Sequence, residues 1–293
     1  MNLKIVLSGI VALAGSSMAA KSSAPFVRAS SHRTTSTTGS TSNALSLRGG
    51  AGPLDADTVS KVYTSIVAAQ GALDYLSPKT VNKLYNCDLS DSISSFIQTF
   101  VGGNQAATAI ALFGTIFADQ PSLKAIGIGL IPASLSSISA ILDGTPKELG
   151  INVPMQYINL GIQLFVIKSL LGGDANASQI LKYYLGYIVL ATGQCRVAPQ
   201  SALKAWGFPD GTALQSFATK LLGQSGLAFS AVAYTLGVEG GTASTAVGRV
   251  ALVYLASLIE FLVSGEFEKI GVDITKCYPW IAISAVTAAT LLF

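Results

Sequence analysis

SFATKLLGQSGLA, Ser216 to Ala228, has an echo upstream, where Ser95 to Ala107 reads SFIQTFVGGNQAA. Both stretches open on Ser-Phe, pass through a small knot of Gly, Gln and Ser or Asn, and return to Ala. The knots are Val101–Gln105 and Leu222–Gly226, and the register between the stretches is 121 residues. The same register runs on without a gap. It sets Lys61 on Lys182, Tyr63 on Tyr184, Pro78 on Pro199, Lys83 on Lys204, Gly102 on Gly223, Gly144 on Gly265 and Tyr157 on Tyr278. Landmarks kept in step over that length read as an internal duplication, with residues 57–172 and 178–293 as two copies and 173–177 as the linker. The period is far above the roughly 20–50 residues of solenoid repeats, so the unit is a domain and not a stacked module.

Half of the 293 residues are hydrophobic and only 11% are charged, and the mean hydropathy is +0.54. Soluble domains carry about 25% charged residues. The deficit lies in long weakly charged runs, which read as a polytopic membrane protein ahead of a soluble helical protein with a thick core. Each copy yields four helices. The first is Asp57–Leu76 or Gln179–Gly193, the second Ser92–Phe117 or Ala213–Gly237, the third Ser122–Leu142 or Ala243–Ser264, and the fourth Pro154–Leu171 or Thr275–Phe293. The expected fold class is therefore all-α, a tandem duplication of a four-helix unit with about eight helices, all or all but one of them spanning. The least apolar is Asp57–Leu76, which carries Lys61, Gln70 and Asp74 and suits the interface as well as a span. Four spans per copy give parallel repeats. Small residues such as Gly127, Gly129, Ser136, Gly248 and Ser257 suit close helix contact in lipid. Units of this kind loosely resemble small four-span bundle families such as the DoxX-like proteins, a resemblance of helix number and length that carries no site residues.

The N-terminus has its own composition. Residues 1–19 combine a short basic start, an apolar stretch and small residues at Ser17-Met18-Ala19, the pattern of a signal peptide. Residues 20–50 are rich in Ser and Thr and basic, and no acidic residue precedes Asp55. That describes a transit-like segment or, alternatively, a disordered secretory stalk. The tandem, with Phe26 several residues past the cleavage site, resembles the bipartite presequences of algae with secondary plastids. The resemblance implies a plastid membrane; the secretory pathway or plasma membrane is the alternative.

Chemistry is narrowed by what is missing. The one histidine, His32, lies in the leader, and Cys87, Cys195 and Cys277 are singletons without a CxxC pair. No metal or cofactor motif is expected on these grounds. No GxSxG, HExxH or Walker loop is present, so the chain reads as non-catalytic. A net charge of +3 without clustered Lys and Arg leaves no nucleic-acid surface. The expected partners are the lipid bilayer and other membrane proteins. Lys79, Lys83, Lys147, Arg196, Lys204, Lys269 and Lys276 fall in the loops after the first and third helices, which places those loops on the cytosolic or stromal side. Cys87 and Cys195 are expected there as accessible loop thiols. Tyrosines and both tryptophans, Trp206 and Trp280, read as interface anchors, and Lys168 and Lys220 as interfacial.

Four residues form a candidate polar path: Gln105, Gln224, Arg249 and Glu260. Arg249 and Glu260 share one span, eleven residues and about 16 Å apart on one face. Charges at membrane depth are costly and mark function, unless the two heads snorkel to opposite ends. The glycine-bearing knots read either as broken helices offering backbone to a solute or as sites of close packing. Two functions follow. One is a non-catalytic membrane scaffold or assembly factor. The alternative is a small-solute transporter or channel at the interface between the repeats. A membrane-spanning water cavity lined by Gln105, Gln224, Arg249 and Glu260 favours the second, and a dry, fully packed centre the first.

Overall fold

The computed structural model describes residues 55–151, 153–208 and 210–293. The signal-like and transit-like segments at 1–19 and 20–50, with His32 and Phe26, lie outside the described residues.

Among the described residues every regular element is a helix. In chain order these are α1 Ala56–Leu76, α2 Pro78–Leu84, α3 Ser92–Ile116, α4 Ser122–Leu142, α5 Thr145–Glu148 and α6 Val153–Gly172. They continue as α7 Ala177–Val197, α8 Pro199–Ala205, α9 Ala213–Gly237, α10 Ala243–Val263, α11 Glu266–Lys269, a 3₁₀ turn at Ile274–Lys276, and α12 Tyr278–Leu292. Both bounds of α7 to α11 lie 121 residues beyond those of α1 to α5.

Local chemistry sets the ends. Asp55, Asp91, Thr212 and Thr242 each accept a hydrogen bond from a backbone N–H of the first turn, capping α1, α3, α9 and α10. Pro78 and Pro199 open the short helices α2 and α8, where the missing N–H costs nothing. Left-handed backbone follows the same register. Positive φ occurs at Asn86 and Gly207, Asp119 and Gly240, Gly144 and Gly265, and Gly150 and Gly271, each pair 121 residues apart. Gly144 (φ 74°) and Gly265 (φ 66°) reverse the chain after α4 and α10, a conformation in which a Cβ is strained.

Packing is a closed ring around a central pair. α3 and α9 lie against each other at the centre. α3 also packs on α1 and α4, and α9 on α7 and α10. α6 lies on α4 and α12 on α10, and the ring closes where α6 meets α7 and α12 meets α1. Two core clusters fill it. One holds Tyr63, Leu112, Ile126, Leu181, Val232 and Val250. The other gathers at the end formed by the loops after α2, α5, α8 and α11, around Leu89, Ile97, Leu203, Phe217, Phe261 and Phe267.

The glycine knots do not break their helices, since α3 and α9 run continuously through them. They are contact points. A Cβ on Gly102 would lie 2.7 Å from the Asp74 carbonyl oxygen, and one on Gly223 2.7 Å from that of Thr192. Nor are the tyrosines all interface anchors. Tyr63, Tyr184 and Tyr254 are buried, while Tyr157, Tyr183 and Tyr278 are exposed. All three cysteines are buried, and Cys195 lies within α7 instead of a loop.

Candidate functional site

The site begins at the crossing of α3 and α9. Asn104 Nδ2 donates to Ser225 Oγ at 3.4 Å, a contact between two residues 121 apart. On one side of that crossing lie Gly103 and Gly226, packed tight. A Cβ on Gly103 would come within 2.8 Å of Ser136 Oγ, and one on Gly226 would overlap the Thr192 methyl. Gln105 and Gln224 stand in register with Gly226 and Gly103, and both line a cavity of about 160 Å³.

The cavity lies between two groups of helices. α1, α2 and α3 supply one wall, and α9, α10, α11 and the start of α12 the other. Much of the surface is apolar and aromatic, with Tyr85, Phe217, Tyr254, Phe261, Phe267 and Trp280. Phe217, Phe261 and Phe267 form a cluster with ring centroids 5.0, 5.6 and 6.1 Å apart. Set into this surface are Gln70, Asp74, Asn82, Gln98, Gln105 and Gln224.

Most of these polar groups have partners. Asn82 and Gln98 exchange both amide hydrogen bonds, at 3.1 and 2.7 Å. Trp280 Nε1 donates to the Tyr85 hydroxyl at 2.7 Å. Burial pushes that hydroxyl up to about 12; the bond from Trp280 offsets part of the rise and the charge of Asp74 adds to it. Burial, and secondarily Asp88 and Asp273, push the Cys87 and Cys277 thiols in the same wall up to about 11.

Three acceptors stand apart. Gln105 Oε1 and Gln224 Oε1 are buried without a hydrogen-bond partner. Asp74, 7% exposed, accepts from Gln70 Nε2 at 2.9 Å. Among the described residues no Lys or Arg lies within ion-pair distance of it. A buried carboxylate is costly unless paired, and unsatisfied buried carbonyls add to that cost.

The four residues of the expected polar path therefore separate. Gln105 and Gln224 share the cavity, whereas Arg249 and Glu260 do not line it. Arg249 pairs with Glu239 and donates to Thr235 Oγ1 at 2.9 Å, near the start of α10. Glu260, toward the other end of α10, binds the buried Arg196 at 2.5 Å and lies 3.7 Å from Lys220. Lys220 also meets Glu266 at 3.1 Å and is largely buried. Arg196, expected in a loop, sits inside the bundle at the end of α7, its guanidinium 4.3 Å from the centre of the Phe261 ring. Two long side chains thus reach local partners, and the distance between them on the helix connects nothing.

Sequence reasoning missed Asp74 and Arg196. Asp74 belongs to a helix that also carries Asp57, Lys61 and Gln70, where a carboxylate raises no alarm. The signal that does point to it is its place directly beside Gly102, the closest-packed glycine of the first knot. Comparison of the chain with protein-family models, with curated proteins and with solved structures finds no match.

Proposed function

We propose that the chain is an internally duplicated, membrane-embedded helical bundle that holds a small solute in the chamber between its halves and performs no covalent chemistry. The observation that carries the solute reading is the chamber itself: about 160 Å³, walled by helices from both parts of the chain, with the Gln105 and Gln224 amide oxygens unpartnered and the Asp74 carboxylate without a countercharge. An apolar cavity of roughly 150 Å³ holds a molecule the size of benzene.

Two sets of observations support the membrane setting. α4 and α10 are long and apolar enough to cross a bilayer. The distribution of side chains is also turned outward. α6 exposes Met155, Ile158, Ile162, Leu164 and Phe165, whereas Thr64, Ser94, Thr108, Thr219, Thr235 and Ser284 are fully buried. Small and hydroxylated side chains at helix contacts, with large apolar ones facing out, suit a bundle in lipid. The repeated helix bounds and paired left-handed residues support the duplication. The leader adds a plastid membrane as the setting.

The test has two steps. Full-length tagged protein in its native cell should stay with the membrane pellet through alkaline carbonate extraction. Purified in detergent, it should be stabilised against heat by at least one small solute in a panel of neutral and charged compounds of about five to eight heavy atoms. Release into the carbonate supernatant rules out the membrane reading. A panel without any stabilising compound rules out the solute.

A further inference from the structure

The chemistry of the chamber wall narrows the class of solute. Its amide oxygens on Gln105 and Gln224 have no hydrogen-bond partner, and its one carboxylate, Asp74, accepts from the neutral Gln70 amide with no Lys or Arg within ion-pair distance among the described residues. Gln70 donates to Asp74, and Asn82 and Gln98 bond each other, so the donors that face Asp74 are neutral amides. What the site lacks is a positive charge that carries N–H donors. Arg196 does not supply it, because Glu260 holds its guanidinium at 2.5 Å and Arg196 is outside the cavity wall. A bound metal ion suits the wall poorly. Among the described residues Asp74 has no companions from which a group of three or more His, Cys, Asp and Glu could be assembled. The rest of the wall is aromatic, and aromatic faces attract organic cations, more strongly once water is excluded.

We infer that the chamber binds a small protonated organic amine, its ammonium group held by Asp74, Gln105 and Gln224 and its carbon skeleton packed among Tyr85, Tyr254 and the Phe217–Phe261–Phe267 cluster. This rests on the reading that the chamber holds a solute. Half of the recognition comes from each copy, with Asp74 and Gln105 from one and Gln224 and the phenylalanines from the other. The positions in register with these acceptors are Cys195, Gly226 and Gly103, so the opposite side of the bundle offers no equivalent ammonium site. Asp74 is then a residue whose burial without a cation is a cost of the empty state, recovered when the amine binds.

The experiment is calorimetric titration of the purified full chain with n-butylammonium, and with n-butanol as its uncharged counterpart. The amine is expected to bind and the alcohol to bind at least about tenfold more weakly, since the charge-assisted contacts are lost. Asp74→Asn should weaken the amine by about tenfold or more while melting at or above the parent temperature, because it removes an unpaired buried charge. Gln224→Leu should also weaken the amine and leave the alcohol unchanged. Equal binding of amine and alcohol, or amine binding unaffected by both substitutions, overturns the ammonium assignment while leaving a solute in the chamber. Binding of neither compound, with no other member of the panel stabilising the protein, overturns both. Should Asp74→Asn fail to fold, the Gln224→Leu titration alone decides.

Discussion

Gly102 and Gly223 offer the sharpest test of the central packing. Each stands at the point where a middle helix touches the first helix of its own half. A methyl group on Gly102 would sit 2.7 Å from the Asp74 carbonyl oxygen and 3.0 Å from the Tyr75 Cα; on Gly223 it would sit 2.7 Å from the Thr192 oxygen and 2.8 Å from the Arg196 nitrogen. Ordinary contact begins at 3.4 Å, and the obstructing atoms are backbone, so a helix must move instead of a side chain. Overpacking of this kind costs about 1–3 kcal/mol or somewhat more. The gain in helix propensity from Gly to Ala is about 1 kcal/mol and offsets only part of it. Gly186→Ala and Gly193→Ala are the controls, both within α7 with nothing inside 4 Å of the added carbon. Thermal unfolding in detergent, followed by helical circular dichroism, should show Gly102→Ala and Gly223→Ala each several degrees below the parent, at about 2–4 °C per kcal/mol for a chain of this size. The controls should equal or exceed the parent. If either knot variant melts as high as the parent, close backbone approach is not what the knots are for.

Two further outcomes follow from the ion pairs and the thiols. Glu260→Gln strips the buried Arg196 of its carboxylate and should cost about 1–3 kcal/mol, whereas Glu239→Gln frees the 37% exposed Arg249 and should cost less than about 1 kcal/mol; equal melting temperatures for the two variants would contradict the assignment of partners. Maleimide at pH 7 should label none of Cys87, Cys195 and Cys277 in the folded protein and all three after denaturation. The reason is that all are buried, and that burial holds the Cys87 and Cys277 thiols near 11 and so protonated. Rapid labelling of any one in the folded state counts against the packing of that loop end.

Long-range periodicity and helix length were legible without coordinates, and for different reasons. The knots, Pro78 with Pro199, and Gly144 with Gly265 announce the 121-residue register because they mark backbone events that tolerate few substitutes. The bounds of α4 and α9 could be read directly, since the apolar run ends on turn residues at both ends. The first helix of the second half was read four residues short at its C-terminal end. The helix runs on to Val197, with Thr192 packed against α9 and Arg196 against α9 and α10. The short helices α2 and α8 were invisible because a proline at a first helical turn and one in a loop look alike in sequence. The site divided in the same way. Gln105 and Gln224 stood out as amides within apolar helices. Asp74 did not, because its isolation depends on the absence of a cation across the bundle. Arg196 and Glu260 are 64 residues apart, and nothing local to either names the other.

The contact between Asn104 and Ser225 has a meaning for how such a molecule could arise. In the duplication proposed above, residues on the dyad meet their own counterparts, as they would across the interface of a homodimer. A dimer of identical subunits must write the same residue on both sides of its axis, so an amide that opens one chamber opens its twin as well. Once the two copies share one chain, each side is encoded separately. Glutamine can then line one flank while glycine packs the other, and the molecule keeps a symmetric frame with a chemically distinct compartment on one flank.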